Sequence, residues 1–190
     1  MSAIAKINVA ALADRVKNII MKPEAEWDKI NGEKPLLPEL FTGYVAILAA
    51  IPAVCSFIGL EVFGILGFRP GIGAAIAHLV LTYVLGFIGV GVGGFVADFM
   101  AAQFGGKSDR LSAFKLVIYS MTPAWLGGVF GIMPALSFLG LVGLYSLYLF
   151  YLGAPKLMGV PKDKAVVYTA VTMILTAIVA GIFSAFLLRV

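Results

Sequence analysis

The sequence predicts an all-α, polytopic membrane bundle of five transmembrane helices preceded by a short amphipathic interfacial helix. Composition, the spacing of apolar runs and the placement of charge each point there. The 190 residues are 61% hydrophobic, with a mean hydropathy of +1.02, far above ordinary soluble domains. The apolar residues gather into runs over 40–60, 71–97, 116–133, 135–152 and 165–188, each near the ~20 residues that cross a bilayer. Lipid offers no partner to the backbone, and the runs lack the alternation of barrel strands, so the spans are read as helices.

Charge sets the expected orientation. Lys6, Arg15, Lys17, Lys22, Lys29 and Lys34 precede the first run; Lys107, Arg110 and Lys115 follow the second; Lys156, Lys162 and Lys164 follow the fourth. Only Arg69 and Arg189 remain. Five spans put those two on one side and the rest on the other, so the positive-inside rule places the N-terminus in the cytoplasm and the C-terminus outside. The net charge of +4 then describes topology and contact with anionic headgroups, not a nucleic-acid surface. Residues 1–38 are expected as a cytoplasmic head and 39–190 as the transmembrane domain. Residues 1–20 lack the continuous apolar stretch and small-residue cleavage site of a signal peptide, so the first span is expected to direct insertion.

Within the head, Val9, Leu12, Ala13, Val16, Ile19 and Ile20 recur at helical spacing opposite Asp14, Arg15, Lys17 and Asn18. Such a helix is expected to lie flat on the membrane with Arg15, Lys17 and Lys22 on lipid phosphate, packing against the bundle being the alternative. Pro23 suits the first position of a second short helix, with Glu24, Glu26 and Asp28 near its N-terminal dipole and Trp27 as an interfacial anchor. Pro35 and Pro38 are expected to end it. Lys107, Arg110 and Lys156 complete the set of candidate headgroup contacts.

Pro52 and Pro123 each remove one helical hydrogen bond and permit a kink in spans one and three. The pairs Gly89/Gly93 and Gly127/Gly131 have the small-xxx-small spacing that lets a neighbouring helix approach. Tyr119, just before Ser120, Thr122 and Pro123, is placed to hydrogen-bond carbonyls freed by the proline. Tyr145, Tyr148, Phe150 and Tyr151 read as an interfacial aromatic belt. Cys55 stands alone in an apolar run and reads as a small buried hydrophobe.

Two ionisable residues fall within the second apolar run or at its very edge, His78 and Asp98, and groups so placed are functional candidates. Twenty residues of helix hold them ~30 Å apart, too far to form a proton-relay pair. Asp98 is expected to pair with Lys107, Arg110 or Lys115, and His78 with Glu61, as structural contacts; a transport role is the alternative. One histidine with no Cys/His cluster gives no metal site, and no cofactor is expected. Enzyme signatures are absent: no Gly-x-Ser-x-Gly elbow and no His-Glu-x-x-His occur. Gly106-Lys107-Ser108 superficially matches the end of a phosphate loop, but Ala101 stands where its first glycine belongs. Ser120 and Thr122 have no base on their span.

Several stretches together resemble the Yip1 domain family. They are Pro23 and Trp27 before Ile30, then Tyr119-Ser120-Met121-Thr122-Pro123, and Tyr148-Leu149-Phe150-Tyr151-Leu152-Gly153 running into Pro155, Leu157 and Gly159. Ala49-Ala50-Ile51-Pro52, followed by Cys55, Phe57, Ile58 and Gly59, is similar to small bacterial inner-membrane members. The resemblance covers most of residues 20–190 and implies the same inside-to-outside topology. Eukaryotic relatives are trafficking proteins that associate with Rab GTPases, but their Asp-Leu-Tyr-Gly-Pro motif is absent here, so that partner is not carried over. The function expected is a non-enzymatic inner-membrane protein that organises or shapes its bilayer or recruits partners through its cytoplasmic face. Its partners would be anionic lipids, a second copy or another membrane protein. The alternative is a small transporter or channel, with spans one to three lining a path gated by Asp98 and His78.

Overall fold

The computed structural model describes residues 9–64 and 69–187, and among these every regular element is a helix. Two short helices, α1 (Val9–Met21) and α2 (Pro23–Gly32), lead in. Five helices long and apolar enough to cross a membrane follow: Leu37–Val62, Ile72–Gln103, Arg110–Ile132, Ala135–Met158 and Lys162–Ala185. Several outrun their apolar runs. Span three starts at Arg110, not Leu116, and so takes Lys115 into the bundle. Span four continues to Met158, with Pro155 inside it. Gly32, not Pro35, closes α2, and Pro38 lies in the first turn of span one, where a missing N–H costs nothing.

Span three is the centre of the bundle. Every residue from Ser112 to Ser120 is buried, whereas the flanking helices turn Val80, Phe99, Leu141 and Ile182 outward. A helix enclosed on all sides has no lipid-facing stripe. That explains why span three is the least apolar of the five and yet carries Ser112, Lys115, Ser120 and Thr122 as buried polar residues.

Missing side chains let the neighbours close on it. A methyl group at Gly94 would stand 2.8 Å from the Phe114 ring, and one at Gly93 3.1 Å from Val117. At Gly153 it would come within 2.6 Å of Leu116 and 2.8 Å of Trp27. Gly89, expected to act with Gly93, has nothing within 4 Å; Gly94, the residue after Gly93, makes the close approach instead. Gly127 and Gly131 face different partners, Val142 of span four and the Ser56 backbone of span one. Gly128 presses on Pro52, where a methyl would stand 2.5 Å from its Cβ, and Gly59 abuts the Gly131 carbonyl.

Span three is broken at Pro123. Its α-helix stops at Ser120, resumes over Thr122–Gly127 and tightens to 3₁₀ over Gly128–Ile132. Span four starts the same way, as 3₁₀ over Pro134–Leu144 before Tyr145–Met158. Pro123 cannot donate to the carbonyl four residues back, that of Tyr119, and the Thr122 hydroxyl donates to it instead at 2.7 Å. The Tyr44 hydroxyl lies 2.8 Å from Thr122 Oγ1, and Ser146 Oγ accepts from Ala124 N at 3.2 Å. Tyr119 therefore supplies the freed carbonyl rather than the hydroxyl that repairs it.

The head rests on this frame. Ile19 of α1 is fully buried and Leu12, Val16 and Ile20 pack against the core, so this part of the apolar face sits on protein rather than among headgroups. The Tyr145 hydroxyl donates to Ile20 O at 3.1 Å. Phe150, expected in an aromatic belt, is buried with its ring 5.6 Å from that of Tyr168, while Tyr148 is exposed. Cys55 is buried and free, as expected of a small hydrophobe.

Candidate functional site: the polar head end

Helix α2 places Glu26, Trp27 and Ile30 on one face, and all three are buried. Trp27 enters the notch left by Gly153 and meets Tyr119 edge-on with ring centroids 6.4 Å apart. It is wholly enclosed by protein and is not an interfacial anchor. The small residue that admits it lies far away in sequence, so local reading misses the notch.

Arg15 of α1 donates to Glu26 Oε1 at 2.6 Å and to Glu33 Oε1, and lies 5.5 Å over the Tyr119 ring. Lys29 Nζ completes the group, 3.3 Å from Glu26 Oε2. Burial alone would lower the pKa of Arg15, but the Glu33 hydrogen bond and nearby negative charge carry it above the ordinary value. Arg15 is thus committed to the head's own carboxylates, not to lipid phosphate.

Two lysines from the spans hold α2 at its ends. Lys156 Nζ donates to Glu24 O at 2.7 Å and to Asp28 Oδ1 at 2.6 Å. Lys115 Nζ donates to Ile30 O at 2.7 Å and Glu33 O at 2.8 Å, a cation against the negative end of the helix dipole. Of the expected headgroup contacts, Lys156 is therefore engaged by α2, while Lys17, Lys22, Lys107 and Arg110 are exposed.

The links between spans meet here as well. Lys107 N donates to Met158 O at 2.7 Å, and Gly159 ends span four in the left-handed region, at φ +65°. Between the end of α2, the start of span three and the end of span four opens a cavity of about 480 Å³. Lys34, Lys107, Lys115 and Lys156 line it, against Glu33 and Asp109. A second crevice, about 560 Å³ and almost wholly apolar, lies between α1 and spans three and four beside Pro123, Gly127 and Val142.

The two intramembrane candidates do not converge. Asp98 Oδ1 accepts from the Ser108 hydroxyl at 2.8 Å instead of pairing with Lys107, Arg110 or Lys115. Arg110 lies 5.3 Å over the Phe95 ring, and Lys115 is drawn to α2. His78 is exposed, and its Nε2 is 3.4 Å from Thr82 Oγ1 one turn on, not beside Glu61. Among the described residues no group of three or more His, Cys, Asp or Glu is placed to hold a metal ion.

The Yip1 domain family matches residues 17–184 of the chain. Two curated relatives, each described as inner membrane protein YohC, come from Escherichia coli strain K12 and from E. coli O6:H1 strain CFT073. Each is 29% identical over 181 residues, covering 90% of this chain and 92% of the relative. No solved structure matches the chain significantly.

Proposed function

Because this chain belongs to the Yip1 domain family and carries five membrane-capable helices, we propose that this multi-pass membrane protein is a non-enzymatic scaffold. Its residence is the inner membrane, as the description of YohC supports. Its working surface is the head end, which faces the cytoplasm by the positive-inside rule. There it engages anionic headgroups and recruits membrane partners or a second copy of itself.

The observation that carries this reading is the enclosure of span three. A helix whose every residue from Ser112 to Ser120 is buried occupies the place a conduction path would need. His78 and Asp98 sit on the flank of that core, each bonded to a nearby hydroxyl. Polarity is concentrated where α1, α2 and the two span links meet, and there Lys17 and Lys22 project from the head.

The test reconstitutes the full chain in vesicles of phosphatidylethanolamine and phosphatidylglycerol, beside a Lys17→Glu/Lys22→Glu variant. Both positions are exposed, so the variant should fold. Wild type is expected to alter vesicle curvature in electron micrographs, or to crosslink reproducibly to one partner in cells, and the variant to lose that effect. Solute flux through the reconstituted protein, or identical behaviour of both proteins in both assays, would refute the reading.

A further inference from the structure

We propose that the lysine-walled cavity at the head end binds a phosphate group, carried by an anionic lipid headgroup or by a small phosphorylated solute. The first argument is an excess of positive charge. Of the lining carboxylates, Glu33 is paired with Arg15, and Asp109, which accepts from Ser112 Oγ at 2.5 Å, keeps its charge as a single negative group against Lys34, Lys107 and Lys115. Lys156 is paired with Asp28. No hydrogen bond or ion pair within the described chain engages the ammonium groups of Lys34 and Lys107, and both line the space.

Lys115 supplies the second argument. It is 2% exposed, and its two partners are carbonyl oxygens, not carboxylates. An ammonium has three N–H donors, so one remains for the cavity. A buried ammonium whose hydrogen bonds run only to neutral carbonyls, with the Asp109 and Glu33 charges nearby but not bonded to it, is favoured by an anion brought to it. The start of span three faces the same space: Asp109, its N-cap, makes no side-chain cap, which leaves first-turn N–H groups for an acceptor. At about 480 Å³ the cavity falls within the range of small-ligand sites. The fixed ammonium of Lys115 and the exposed ones of Lys34 and Lys107 on the same cavity wall suit a phosphate, a compact anion with several acceptor oxygens.

This site does not depend on whether the head end recruits protein partners. The test uses the full chain in neutral detergent and follows the unfolding midpoint at constant ionic strength. It is titrated in separate arms with phosphatidylglycerol, phosphatidylethanolamine and inorganic phosphate. Phosphatidylglycerol or inorganic phosphate should raise the midpoint saturably, and phosphatidylethanolamine should not. Lys34→Gln/Lys107→Gln should weaken the apparent affinity by about tenfold or more, the loss expected from two charge-assisted contacts. Lys162→Gln, exposed and outside the cavity, should leave it unchanged. Response to the lipid alone assigns the site to a headgroup, and response to inorganic phosphate assigns it to a free solute. No saturable response in any arm, equal response to phosphatidylethanolamine, or equal affinity in the double variant would overturn the proposal.

Discussion

Lys115 Nζ, on the central span, lies 2.7 Å from the carbonyl oxygen of Ile30, 85 positions earlier in the chain. That contact makes the head part of the bundle: the last turn of α2 is closed by a side chain from the middle of the membrane domain. Its polar tip is hydrogen-bonded while its stem packs among apolar neighbours.

Lys115→Met keeps the stem and removes the donor. Two carbonyls at the end of α2 lose their partner, which should cost about 1–3 kcal/mol. Hydrogen exchange over residues 23–33 should speed up before exchange in the spans does. Unchanged protection there would show that the contact contributes nothing.

Gly153 and Gly89 make a matched pair of substitutions. Gly153→Ala drives a methyl into Leu116 and Trp27 and should destabilise the bundle by about 1–3 kcal/mol. Gly89→Ala meets open space inside a helix and should be neutral or stabilising by up to about 1 kcal/mol. Thermal unfolding in detergent reads both, and the same loss at the two positions would contradict the notch.

Arg15 and Glu26 should be coupled. Arg15→Met leaves the buried Glu26 carboxylate short of its nearest cation and should cost about 1.5–3 kcal/mol. The double variant Arg15→Met/Glu26→Gln should lose less than the sum of the single variants, because each already breaks the same contact. Additive losses in the mutant cycle would mean that the pair is not a unit.

Asp98→Asn and His78→Ala should be quiet. The first substitution retains a side-chain oxygen for the Ser108 hydroxyl, and exposed His78 has only the 3.4 Å hydrogen bond to Thr82. Each should change stability by no more than about 0.5 kcal/mol, measured by unfolding in detergent. A larger loss would reveal a partner for one of these groups that the fold does not display.

The five spans were legible because hydropathy is a local sum: a run of Leu, Ile, Val, Phe, Ala and Gly is driven into lipid whatever its neighbours, and only a helix satisfies its backbone there. The helical start at Pro23 was equally local, as was the burial of Cys55. The fates of Trp27, Arg15 and Lys115 were not. Each has an apolar body and a polar tip, so lipid interface and protein interior both suit it, and the choice falls to distant residues. Gly153 opens the notch for Trp27, Glu26 and Glu33 claim Arg15, and the end of α2 claims Lys115. One signal did stand in the sequence: span three is the least apolar of the five, as befits a helix whose first half is enclosed by the others. Composition thus determined that this chain crosses the membrane and roughly where. Only the tertiary fold decided which helix lies at the centre and which cations are left free, because those depend on contacts between residues up to 132 positions apart, which no local pattern encodes.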